Sequence, residues 1–227
     1  MPERFVESLA DFRAPGVFNP WGERDLQNDR TADTPAIRRA QLTQYLRERV
    51  DHVRLLLVAE AIGYQGGHFS GIPMTSERLL LGGLSHKGIA PQHAFCGLTP
   101  QRTSKEAVKP DGFTEPTATV VWGFFAETGI DPRSFVLWNA FPWHPYKAEK
   151  GLLSNRTPTD AELQQGQDAL QQMRTLCGDA RVVAIGKKST ALLADQNIAA
   201  TEVRHPANGG AGLFRRQMSA LVKEIGL

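Results

Sequence analysis

Residues 54–75 read RLLLVAEAIGYQGGHFSGIPMT, and this stretch decides the fold. Leu55, Leu56, Leu57 and Val58 form an apolar run without polar alternation, the pattern of a parallel strand buried on both faces. Glu60 interrupts the run, and glycines at 63, 66, 67 and 71 open a loop. Open α/β sheets place their ligand sites just beyond the carboxyl ends of the strands. Glycines there let backbone approach a ligand closely, and Glu60 is the acid at the strand's tip.

Three further strands are expected, at 134–140 (SFVLWNA), 181–185 and 198–204. Helices are expected at 36–53, from 76 to 81, at 116–127 (where β-branched residues also permit a strand), from 159 to about 176, near 188–194 and at 213–225. Thr159 and Glu162 have capping-box spacing, and Gly178 suits the end of that helix. Strands alternating with helices predict one α/β domain over 1–227, a three-layer sandwich around a four-stranded parallel sheet. Residues 1–33, broken by prolines and glycines around Phe18 and Trp21, read as an arm packed on it. Residues 82–115 read as a long loop insertion with six basic or histidine side chains, either a solvated segment or a functional one.

With 227 residues, 41% hydrophobic and 22% charged, the chain has the make-up of a globular protein with a sizeable core. A net charge of +2 permits a nucleic-acid partner without demanding one. Two distant cysteines, Cys96 and Cys177, are too few for an iron–sulfur cluster or a four-cysteine zinc site, and suit a reducing compartment. The start, MPERFVESLADFRAP, is too charged for a secretory signal, and no apolar run approaches the ~18 residues of a membrane span. A cytoplasmic monomer without membrane contact is expected.

Polar groups that a core would reject stand at three strand ends: Glu60, Asn139 ahead of FPWHP, and His205-Pro206. Parallel strands bring these ends to one sheet edge, where an acid, an amide and an imidazole could act as general base, reader and anion stabiliser. Each has a plainer alternative: Asn139 could cap a turn, His205 could be structural, and Glu60 could pair with an arginine. IGKKST after the third strand echoes a phosphate loop, but Arg181 stands where that motif requires glycine. His86 and His93 lack partners at metal-ligand spacing, so neither metal nor cofactor is expected.

AEAIGYQGGHFSGIP, Asn139 near a strand end and His205-Pro206-Ala207 before the last helix resemble, in that order, the three motifs of the uracil-DNA glycosylase superfamily. The first motif is similar to the G-x-x-P-G-x-x-G-x-x-x-T-G-x-P form of the single-strand-selective branch. Its Glu-Ala-x-Gly beginning is similar to the GEAPG form of the iron–sulfur branch, although that branch's cysteines are absent. The resemblance spans about 50–225 and implies hydrolysis of uracil from DNA, flipped out of the stack, without a metal. It further implies that Asn139 reads the uracil edge, that His205 donates to O2, and that Glu60 acts on the attacking water.

Ala61 stands where the best-known branch has its Asp, and Gly63 where that branch's methyl-blocking Tyr stands, which implies room at C5. Met74 stands for the stacking Phe, with Phe69 as an alternative, and Tyr64 and Ala61 complete the implied uracil-binding set. Ala207 replaces the motif's Ser and Gly209 a wedge Leu, leaving Leu213 or Arg215 to insert into a duplex. Expected DNA contacts are Lys87, Lys187, Lys188, Arg204, Asn208, Gly209 and Arg215, with Arg102, Lys105, Arg156 and Arg216 as further candidates. Excision of hypoxanthine or xanthine, or damaged-DNA binding without turnover, are the alternatives.

Overall fold

The structure, a computed structural model, describes residues 1–227. In chain order its elements are α1 (Pro2–Leu9), β1 (Val17–Phe18), α2 (Thr34–Arg47), β2 (Leu55–Ala61), and the one-turn helices α3 (Gly67–Ser70), α4 (Glu77–Leu80) and α5 (Pro91–Ala94). There follow α6 (Pro116–Thr128), β3 (Phe135–Phe141), β4 (His144–Pro145), α7 (Asp160–Cys177), β5 (Arg181–Ile185), α8 (Lys187–Asp195), β6 (Thr201–Val203) and α9 (Ala211–Glu224). The main sheet has the order β3-β2-β5-β6, all parallel, and helices flank it. This is the four-stranded α/β sandwich that the strand–helix alternation predicts.

The apolar run Leu55–Val58 supplies a central strand, with each of its side chains at most 1% exposed. Its register puts Val58 opposite both Trp138 and Ala184, and Ala59 opposite Asn139. Glu60 and Asn139 therefore reach the same carboxyl edge from adjacent strands. Both lie inside their strands rather than just past them, because β2 runs on to Ala61 and β3 to Phe141.

Several boundaries differ from the expected ones for identifiable reasons. The arm is not wholly irregular: α1 buries Phe5, Val6 and Leu9, and Phe5 packs against Trp138 with ring centroids 5.4 Å apart. Its second piece, β1, pairs antiparallel with β4, Val17 opposite Pro145 and Phe18 opposite His144. Helix α2 stops at Arg47, where Glu48 turns its carboxylate to the backbone N–H groups of Cys96 and Gly97. Just beyond, buried Arg49 donates to the carbonyls of Tyr45, His93, Ala94 and Phe135, which fixes the turn to β2.

The 82–115 segment is tied down by hydrogen bonds. Buried Glu77 accepts from the backbone N–H groups of Thr103 and Ser104 and from both hydroxyls. Arg102 and Lys105 donate to carbonyls of Lys109, Pro110, Ser104, Leu26 and Gln27, so their charge serves the loop's own folding. Helix α7 begins with the capping box read from Thr159 and Glu162: Thr159 N–H donates to Glu162 Oε2 at 2.8 Å and Glu162 N–H to Thr159 Oγ1 at 3.3 Å. No helix is long and apolar enough to cross a membrane.

Candidate active site

A cavity of about 170 Å³ opens at the carboxyl edge of the sheet. The end of β2 and its loop contribute Ala59, Glu60, Ala61, Ile62 and Gly63. Met74 follows from the glycine loop, Glu115 and Thr117 from the start of α6, and Asn139 from β3. The β4–α7 loop adds Asn155 and Arg156, and the loop after β6 adds His205. A neighbouring groove of about 380 Å³ is lined by Lys187, Lys188, Arg204 and Asn208, and it shares Glu60 and His205 with the cavity. A roomier hollow of about 500 Å³ lies against α1 and α7, but none of its lining residues comes from a strand end.

Asn139 is 1% exposed, and its side-chain oxygen has no hydrogen-bond partner within the protein. Burying an amide oxygen unpaired costs about 1–3 kcal/mol, so this group is prepared for a donor that arrives in the cavity. Glu60 is anchored by Lys188, whose Nζ lies 3.1 and 3.4 Å from the two carboxylate oxygens and 2.7 Å from Thr157 Oγ1. The partner is a lysine rather than the arginine considered from sequence, and the pairing leaves Glu60 facing both cavity and groove.

At His205, burial and the Arg204 charge hold the imidazole pKa below its ordinary value, with Glu60 opposing them. The ring is then neutral near pH 7. Its Nδ1 accepts the N–H of Ala207 at 3.1 Å, so the proton sits on Nε2, which is left as a donor. Gly186 makes this packing possible. With φ +88° it turns the chain into α8, and a Cβ there would come within 2.9 Å of the His205 Cβ.

Of the expected site residues, the structure brings Glu60, Ala61, Gly63, Met74, Asn139 and His205 to the cavity, and Lys187, Lys188, Arg204 and Asn208 to the groove. Others lie elsewhere. Phe69 is fully buried away from the cavity, stacked on Phe113 with centroids 4.0 Å apart, because the loop's aromatics build their own small core. Tyr64 meets the edge of the same Phe113 ring rather than the cavity. Arg215 is bound to Glu127 of α6, Lys87 sits in an exposed 3-10 turn, and Gly209 precedes α9 without lining either space. Arg156 does line the cavity, but it chelates Glu162 at 2.6 and 2.7 Å and donates to the carbonyls of Gly16 and Tyr146, so its charge is already engaged.

The space beside Gly63 is not open. A Cβ there would meet Asn155 Nδ2 at 3.4 Å and Oδ1 at 3.7 Å. Asn155 Oδ1 accepts the Tyr64 N–H at 3.0 Å, which turns its Nδ2 donor free of that contact. Sequence reading missed Asn155, which stands in an irregular loop about ninety residues from the glycines it faces. It also missed Glu115, because an acid ahead of Pro116 reads as ordinary helix-start chemistry.

Fold and site together describe an α/β protein with a small polar pocket at its sheet edge beside a basic groove. The sequence matches the model of the uracil DNA glycosylase superfamily over residues 47–221, and the chain belongs to that family. It is thus a DNA glycosylase, a hydrolase of the bond between base and sugar. Its fold is similar to the crystal structure of Pedobacter heparinus SMUG2, with a TM-score of 0.63 at 14% identity, over 99% of this chain and 97% of that one. No curated protein matches it in sequence.

Proposed function

We propose that this chain removes uracil from DNA by hydrolysing the N-glycosidic bond, leaving an abasic site. The observation that carries the reading is the buried Asn139 amide, unpaired and facing a polar cavity between an anchored carboxylate and a neutral histidine. An amide offers a donor and an acceptor side by side, the complement of uracil O4 and N3–H. Adenine and cytosine present an amino group where uracil presents O4.

The walls shared by cavity and groove support a division of parts. A flipped base enters the cavity, and its sugar and phosphates lie in the groove against Lys187, Lys188 and Arg204, beside the N-terminus of α8. Glu60, at the junction, faces C1′; its carboxylate orients the attacking water and stabilises the cationic sugar. His205 Nε2–H donates to O2 as negative charge develops on the departing base. Most of the affinity for DNA is electrostatic and falls with salt. Any wedge into a duplex falls to Leu213, 41% exposed near the start of α9, since Arg215 is engaged. A single strand, which needs no unpairing, is the easier substrate.

The test is excision from uracil-containing oligonucleotides, single- and double-stranded, read as alkali-labile sites. Cleavage of neither would overturn the reading. A second reading, excision of hypoxanthine or xanthine, is favoured by one feature: the cavity has amides and acids at several edges and no Phe, Tyr or Trp ring in its wall. Competition among substrates separates the two. Glu60→Gln separates both from binding without turnover, because it abolishes cleavage while leaving DNA binding only if the wild type is catalytic.

A further inference from the structure

The cavity holds a second carboxyl group, from Glu115, that none of the roles above uses. Glu115 is the residue from which α6 starts, and its side chain turns back over the glycine loop. Its Oε2 lies so close to Gly66 that a Cβ on that glycine would sit 1.8 Å away. Only a glycine at 66 lets this carboxyl reach the cavity. The side chain makes no ion pair, in contrast to Glu60, which is held by Lys188. The two acids also differ in place. Glu60 and His205 line both cavity and groove, whereas Glu115 lines the cavity alone and so stands on the base side of the scissile bond.

We infer that Glu115 is the catalytic acid of the excision reaction, donating its proton to the departing base; the inference rests on the glycosylase reading above. As the C1′–N bond breaks, its electron pair goes to the base, and the Glu115 O–H proton moves to a ring nitrogen or carbonyl oxygen of that base. Water oxygen joins C1′, and the proton it releases returns the Glu115 carboxylate to the acid through solvent. The net change is one water consumed, one protonated base and one sugar hydroxyl formed.

The environment suits the role. The residue is half-buried, and burial alone pushes its pKa up to about 7. The charged or titratable groups facing the same cavity are Glu60 on β2, Arg156 in the β4–α7 loop and His205 after β6. Arg156 is neutralised by Glu162, so no free cation stands ready to pull the Glu115 proton off. Two carboxyls in one site, one held by a cation and one without a charged partner, is how environment divides stabiliser from acid.

The experiment is single-turnover excision by wild type and Glu115→Gln from pH 5.5 to 9, on uracil and on 5-fluorouracil, whose base leaves more readily as an anion. Wild type should lose rate about tenfold per pH unit above its acid's pKa, and Glu115→Gln should be flat there and on the order of 100-fold slower below it. The loss should be much smaller on 5-fluorouracil. Gly66→Ala, which displaces the carboxyl, should mimic the Gln variant while keeping residue 115. Carbon-13 titration of Glu115 in the free protein gives a readout independent of turnover, and an ordinary carboxylate value there overturns the proposal. An unchanged pH profile in Glu115→Gln, with active wild type, overturns this inference alone. A wild type that excises nothing overturns it together with the glycosylase reading.

Discussion

Asn139→Ala should cost activity while leaving the protein as stable or more so. The amide oxygen is buried without a partner, an arrangement that costs the free protein about 1–3 kcal/mol. Truncation to Ala removes that burden and enlarges an existing cavity, which costs about 1 kcal/mol. The balance is about 0–2 kcal/mol in favour of the variant. At roughly 2–4 °C per kcal/mol for a chain of this size, Tm is unchanged or rises by up to about 8 °C. Two hydrogen bonds to the base edge are lost, about 1–3 kcal/mol together, so single-turnover excision falls roughly 5- to 150-fold. Thermal unfolding and excision kinetics on one preparation test both halves. A fall in Tm of several degrees would mean that Asn139 is a structural residue and that its amide is satisfied in the free protein. Unchanged excision would mean that something else reads the base.

Other substitutions test neighbouring parts of the site. Lys188→Gln unpairs Glu60 and takes a cation out of the groove, so excision should fall about tenfold and the log–log salt slope of binding should shrink by about 1. An unchanged slope would remove the groove as a phosphate seat. Gly63→Ala brings its Cβ to 3.4 Å from Asn155 Nδ2, a contact that needs little adjustment, and should keep excision within about threefold. Asn155→Ala, by contrast, should change the ranking of bases excised; equal effects on all bases would deny it a reading role. Acid should destabilise the fold through two buried histidines. Burial depresses His68 strongly and brings His144 down to about 4, while His68 stays bonded to Asp25 and to the His144 ring. Both are depressed relative to the unfolded chain, so their stability is full above about pH 6.5 and drains as pH falls toward 4. Tm of Glu115→Gln, which removes the opposite pH dependence of that buried acid, measured from pH 8 to 4.5 should be flat and then drop below about 6; a flat line throughout would contradict the buried neutral pair.

The sheet was legible because its strands are continuous apolar runs bounded by turn residues, and a central parallel strand such as Leu55–Val58 has few other ways to fold. Strand ends then placed Glu60, Asn139 and His205 together without any knowledge of loops. What could not be read is what irregular backbone brings in. Asn155 reaches Gly63 through a loop held by Arg156, and Glu115 reaches Gly66 across a span with no periodicity between them. Phe69 was misplaced for the same reason: an aromatic in a glycine loop can face a ligand or another ring, and here Phe113 claims it. Charge was the poorest guide. Of the basic residues in the long loop, Arg102 and Lys105 are spent on carbonyls, a use that no count of charges discloses.

The match to the family model begins at residue 47, yet the pocket's far wall is fastened by residues well before that. Gly16 O accepts both the Arg156 guanidinium and the Tyr146 N–H at 3.0 Å, and Phe18 stacks on His68 with centroids 4.2 Å apart. A chain trimmed to the family boundary would keep every motif and lose the brace beneath Asn155 and Arg156. Grafts of this glycine loop onto a relative's scaffold face the same difficulty: the opening thirty residues must travel with it, because they hold from behind a wall whose cavity face they do not line.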